Sequence, residues 1–79
     1  MRLDKFLKVS RLIKRRTVAN EACDAGRVLV GGKPAKASLN IKEGDIIEIH
    51  FGTSSVKVEV LDVAETVKKD EAKELYRYL

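Results

Sequence analysis

Thr17-Val18-Ala19-Asn20-Glu21-Ala22-Cys23-Asp24-Ala25-Gly26-Arg27-Val28-Leu29-Val30-Gly31-Gly32, residues 17–32, decides the fold, because the hydrophobic period changes within it. Thr17 reads as the N-cap of a helix, its hydroxyl free to accept a backbone N–H. Val18, Ala22 and Ala25 are expected to form the inward face, with Ala19 and Cys23 beside it. Side chains this small let a neighbouring helix approach closely. Gly26 follows the last turn, where a left-handed residue ends a helix without a Cβ clash. From there Arg27-Val28-Leu29-Val30 reads as a strand and Gly31-Gly32 as a turn that tolerates positive φ.

On the N-terminal side, Leu3, Phe6, Leu7 and Ser10 recur at i, i+3, i+4 and i+7, with Arg2, Lys5 and Lys8 on other faces. The spacing predicts an amphipathic helix over about residues 3–9. Leu12 and Ile13 anchor the connector Lys14-Arg15-Arg16, and the two helices form a hairpin. On the C-terminal side, Pro34 argues against regular pairing, so 33–40 is expected to be irregular. A turn at 42–45 precedes a strand over 46–51, and Gly52-Thr53-Ser54-Ser55 makes a second turn. Val56, Val58 and Val60 then alternate as one buried face of a strand. Residues 70–76 read as a short terminal helix, acidic where the helix dipole favours it. The fold class is α+β: an N-terminal helical hairpin packed on a small, mostly antiparallel sheet, with a short C-terminal helix. Residues 1–63 are read as the domain and 64–79 as a helical extension packed on it.

Residues 1–16 carry seven basic side chains against Asp4, a net charge of +6, while the remaining residues carry −2. Such segregation points to a polyanionic partner for the N-terminal segment. Arg2, Lys5, Lys8, Arg11, Lys14, Arg15 and Arg16 are the candidate RNA-binding residues. Lysines and arginines about three residues apart on a helix face an array of phosphates together, and guanidinium forks bind phosphate in two-pronged fashion. The plainer alternative is a solvated face, where most lysines lie. Lys33 and Lys36, beyond the Gly31-Gly32 turn, extend the candidate surface or are ordinary loop lysines. Asp4 is either a surface carboxylate, a charge at the helix N-terminus, or an ion-pair partner of Arg11 or Lys8 that orients the basic field.

The remaining chemistry is sparse. A single cysteine, Cys23, leaves no internal disulfide and no multi-cysteine zinc site, and reads as a small buried hydrophobe. His50 has no second histidine beside it and reads as an edge-strand residue. Tyr76 and Tyr78 could stack on a base, although packing on the sheet is the simpler reading. There is no Gly-rich phosphate loop and no catalytic triad spacing, so neither an enzyme nor a cofactor is expected. No apolar run approaches a membrane span, and the opening residues lack a secretory signal, so a cytoplasmic monomer without membrane contact is expected. An acidic protein surface is the alternative partner.

Residues 2–49 resemble the RNA-binding domain named after ribosomal small-subunit protein four, the alpha-L motif. The residues that carry the resemblance begin with Arg2-Leu3-Asp4-Lys5-Phe6-Leu7, Arg11-Leu12, Arg15-Arg16-Thr17 and Ala22. It continues through the run from Gly26 to Lys33, Lys36 and Gly44-Asp45-Ile46-Ile47-Glu48-Ile49. Gly31 stands where the family commonly has Asn, and glycine also permits the turn. Among stand-alone members, the chain is similar to the heat-shock protein fifteen family. Its opening sixteen residues look especially like the ribosome-associated quality-control P-site tRNA-stabilising factors. That resemblance implies binding to large-subunit rRNA and peptidyl-tRNA on obstructed large ribosomal subunits. It also implies a partner elongation factor that extends stalled chains with alanine, and it places Arg2, Lys5, Arg11, Arg15 and Arg16 on the family's basic surface.

Overall fold

In a computed structural model describing residues 1–79, two helices, α1 (Leu3–Val9) and α2 (Arg16–Asp24), lead into strands β1 (Val28–Val30) and β2 (Lys33–Pro34). Strands β3 (Ile46–Phe51) and β4 (Ser54–Val60) follow, then one 3-10 turn (Ala72–Leu75) and β5 (Tyr76–Tyr78). The strands form one antiparallel sheet in the order β2-β1-β3-β4-β5. The helical hairpin on a small antiparallel sheet is the α+β architecture read from the sequence.

Alternation sets which sheet face is inward. Ile47 sits opposite Val58 and Ile49 opposite Val28, and all four are buried, whereas Glu48 and Lys57 pair on the other face. The inward face forms a single cluster with Leu3, Phe6 and Leu7 of α1 and Ala19 and Cys23 of α2. Phe6, Leu3 and Leu7 are wholly enclosed, and burying each contributes about 1.5–3 kcal/mol.

The small-residue helix faces inward through Ala19 and Cys23, with Ala22 half-buried, a quarter-turn from the expected stripe. Val18 is 46% exposed and Ala25 is exposed. The helix also begins one residue before Thr17, with Arg15 in extended backbone at the cap and no side chain capping it. Gly26 ends it with φ of +74°, in the left-handed conformation expected.

Pro34 does pair, opposite Leu29, because β2 is an outer strand and a missing N–H on the open side costs no ladder bond. Ser54 and Ser55 extend β4, leaving Gly52 and Thr53 as the turn. His50 lies in β3, an interior strand flanked by β1 and β4, and its ring nitrogen bonds the Glu48 carboxylate. At the C-terminus the helix is a single 3-10 turn, and Tyr76 and Tyr78 belong to β5 on the edge of β4. β-favouring tyrosines and an available strand edge outweigh the helical propensity of 70–75 there. The two rings meet edge to face with centroids 5.3 Å apart, and burial together with the Tyr78 hydroxyl pushes the Tyr76 phenol up to about 12.

Candidate nucleic-acid interface

The site begins with the unpaired N–H groups of the first turn of α1. Leu3 and Asp4 donate theirs to the carbonyls of Leu39 (2.8 Å) and Ala37 (3.1 Å), so the loop after β2 covers the helix end. The Asp4 carboxylate accepts the Lys5 N–H at 2.8 Å. That leaves the carboxylate pinned at the start of α1, only 2% exposed.

Around it three side chains converge. The Nε and Nη2 atoms of Arg2 donate to the two carboxylate oxygens at 3.2 and 3.3 Å. Arg16 Nε donates to Oδ2 at 3.3 Å and Asn20 Nδ2 to the same atom at 3.4 Å. Burial alone would raise the carboxyl pKa, but the bonds from Arg16, Arg2 and Asn20 outweigh it, and the group is held below its ordinary value. Asp4 is therefore ionised at neutral pH. The arginines themselves remain about half exposed, at 50% and 47%, so each guanidinium is steered by one edge and open on the others. The orienting role belongs to Asp4 as one sequence reading had it, but its partners are Arg2 and Arg16 rather than Arg11 or Lys8.

A second basic group surrounds the end of α1. Lys8, Arg11 and Lys14 line a shallow trough whose opposite wall is Glu65, Thr66, Val67 and Lys69. Arg11 and Lys69 continue into an adjoining recess with Asp70, Lys73 and Tyr76. Arg11 ends the helix with φ of +63°, the only non-glycine residue of the chain in the left-handed region. Its N–H bonds the Lys8 carbonyl at 3.0 Å, and Ile13 then turns inward to bond the Leu7 carbonyl at 3.1 Å and enter the core. A residue with a Cβ in this conformation costs about 1–2 kcal/mol, so the tertiary structure holds Arg11 there.

The remaining candidates are distributed. Lys5 Nζ donates to the Glu65 carboxylate, so this cation is engaged by the C-terminal segment. Arg15 is exposed at the head of α2 and joins neither group. Lys33 and Lys36 are exposed beside a separate recess lined by Val30, Pro34 and Leu39. Sequence reasoning passed over Lys69 and Lys73, because they lie in a stretch of mixed charge whose chain path no periodicity revealed. No group of three or more His, Cys, Asp or Glu side chains could hold a metal ion, and no helix is long and apolar enough to cross a membrane. Cys23 is buried, and burial first, then the charges of Asp4 and Asp24, push its thiol up to about 11.

The S4 domain family model matches residues 1–47, nearly the stretch on which the resemblance rested. Over 76 residues the chain is 60% identical to the RQC P-site tRNA stabilizing factor of Halalkalibacterium halodurans, covering 96% of this chain and 86% of that protein. The RQC P-site tRNA stabilizing factor of Bacillus subtilis is 53% identical over 79 residues, covering 100% and 92% of the two chains. Heat shock protein 15 of Vibrio cholerae, whose structure is trimeric, superposes with a TM-score of 0.93 at 29% identity, covering 100% of this chain and 81% of that one.

Proposed function

The chain belongs to the family of RQC P-site tRNA stabilizing factors and heat shock protein 15, built on an S4 domain, and from that premise we propose how it acts. The family is one of RNA-binding proteins without catalysis. In our reading the protein binds large-subunit rRNA and peptidyl-tRNA together on an obstructed large ribosomal subunit in the cytoplasm. It steadies the tRNA in the P site while a partner elongation factor adds alanine to the stalled chain.

The observation that carries this reading is the pair of guanidinium groups, Arg2 and Arg16, held on one buried carboxylate. Two oriented cations facing outward suit the phosphates of structured RNA, which is read by shape and backbone rather than by base edges. Lys8, Arg11, Lys14 and Arg15, which make no ion pair, add unpaired charge, and Lys33 and Lys36 extend the surface. Lys5 joins once phosphate displaces Glu65.

Neutralising about five phosphates gives a log Kd against log salt slope of magnitude about 3.5–4.5. Arg16→Ala should reduce it by about 0.7–0.9 in binding to isolated large subunits carrying peptidyl-tRNA. A slope near zero, or an unchanged one in the variant, sinks the proposal. Crosslinking in cells followed by sequencing should enrich large-subunit rRNA together with tRNA. A partner retained after RNase treatment would instead indicate an adaptor for an acidic protein. The superposition on heat shock protein 15 favours one second reading, a recycling factor for stalled large subunits. A reconstituted reaction separates the two, because only the first predicts that alanine addition to the stalled chain depends on this protein.

A further inference from the structure

We propose that the trough between the end of α1 and the C-terminal segment is a second RNA-backbone site, distinct from the Asp4-centred cluster and completed by Lys69 and Lys73. This rests on the RNA-binding reading above and assigns it a second surface. Lys8, Arg11, Lys14, Lys69 and Lys73 line two adjoining recesses, and Arg11 and Lys69 belong to both. None of the five makes an ion pair in the structure. Of the two carboxylates on the walls, Glu65 is engaged by Lys5, so Asp70 alone opposes five cations.

Like charges gathered without partners repel one another and lower the stability of the folded chain, unless an anion is there to meet them. The left-handed backbone at Arg11 adds a further cost at the point where the two recesses join. The trough offers little to an apolar side chain, since Val9 and Val67 are the only aliphatic residues among those lining the recess that holds Lys8. A polyanion fits the charge, and among polyanions the RNA backbone is the one the proposed function assigns to the neighbouring cluster. The two surfaces together would let one small domain hold two strands at once. The S4 match ends at residue 47, so the second wall comes from outside the recognised domain.

Salt titrations of binding to an unmodified tRNA transcript test this with five proteins: wild type, Lys69→Ala/Lys73→Ala, Lys69→Arg/Lys73→Arg, Arg2→Ala/Arg16→Ala and Arg11→Gly. The double alanine variant should lower the slope by about 1.4–1.8 with a melting temperature no lower than that of wild type, since both lysines are exposed and their removal relieves the repulsion. The arginine pair should keep the slope, because phosphate asks only for the charge. Arg11→Gly, which removes the guanidinium and relieves the backbone, should bind more weakly yet melt higher, an outcome that a purely structural role does not produce. A wild-type slope in the double alanine variant overturns the second site while leaving the Arg2 and Arg16 reading intact. Loss of slope there, with none in Arg2→Ala/Arg16→Ala, supports the trough and overturns the first site. Salt-independent binding by wild type overturns both.

Discussion

Arg2 and Arg16 rest on a carboxylate that is 2% exposed, whereas Lys8, Arg11, Lys14, Lys69 and Lys73 gather around a trough with no carboxylate bonded to any of them. The first surface gives up one unit of positive charge to Asp4 and gains direction. The second keeps all its charge and leaves four long lysine stems to find their own geometry. A fixed guanidinium loses little rotamer freedom on meeting phosphate, while each free lysine loses more. The cluster is thus the surface on which position counts, and the trough the one on which charge counts.

Removing Asp4 breaks that contrast most sharply. Asp4→Ala deletes the cap on the Lys5 N–H and the acceptor for both arginines, and should cost about 3 kcal/mol in denaturant unfolding. Asp4→Asn raises the net charge by one, so a surface that merely counts charge would bind RNA tighter. An oriented surface binds about tenfold weaker, a loss of about 1.4 kcal/mol. The sign of the change in Kd decides between the two.

Cys23 reports on the same cluster from beneath. Its thiol is raised from 9.0 to about 11, mainly by burial and then by Asp4 and Asp24. A folded-state pKa above the unfolded one contributes stability in full below pH 9, and that contribution drains away as pH rises through 11. Over that span wild type should lose about 2–3 kcal/mol, at about 1.36 kcal/mol per pKa unit, that Cys23→Ala does not lose. Asp4→Asn should also lower the thiol titration, followed by its ultraviolet absorbance, whereas Lys69→Ala/Lys73→Ala should leave it in place. If both move it equally, the cluster and the trough are not electrically separate.

The same contrast explains what could be read from residues alone. The spacing of Leu3, Phe6 and Leu7 marks α1 to its ends, and the change of period at Gly26 marks the passage from hairpin to sheet. Those signals are local, since a helix or strand declares its buried face within a few residues. The Asp4 cluster joins positions 4, 16 and 20, and the trough joins 11 to 69 and 73, pairings that depend on how elements pack. Arg11 shows the limit most clearly, because a glycine there would have signalled the helix end and an arginine signals only charge. Tyr76 and Tyr78 likewise became a strand because β4 had a free edge to offer, a property of the sheet rather than of the terminal residues.

Arg11→Gly acts on the trough alone and with opposite effects on its two roles. Glycine takes φ of +63° without a Cβ clash, so the folded state gains, while the greater freedom of the unfolded chain returns part of that. The net expectation is about 0.5–1 kcal/mol of added stability in denaturant unfolding together with weaker RNA binding. A destabilised variant would mean that the Arg11 side chain supports the fold.

The smallest effect lies at the one contact that links the two surfaces. Lys5 sits on α1 beside Asp4, and its ammonium is held by Glu65 on the wall of the trough. The pair is exposed on the Glu65 side, so its contribution to folding is screened and Glu65→Gln should leave the melting temperature unchanged. What changes is the field: the trough loses a carboxylate and the cluster gains a free ammonium. Affinity for RNA should rise about two- to fivefold at 0.1 M salt, and the advantage should shrink as salt shortens the range of the interaction. Lys5 holds the Glu65 carboxyl below its ordinary value, first by the hydrogen bond and then by its charge. Wild-type Glu65 therefore stays ionised between pH 7 and pH 5, and the gap between the two proteins should be constant across that range. A gap that closes toward pH 5 would show Glu65 taking up a proton there, and so not held by Lys5. Equal affinities at every salt concentration would mean that Lys5 remains withdrawn from RNA even when freed, and that the cluster ends at Arg2 and Arg16.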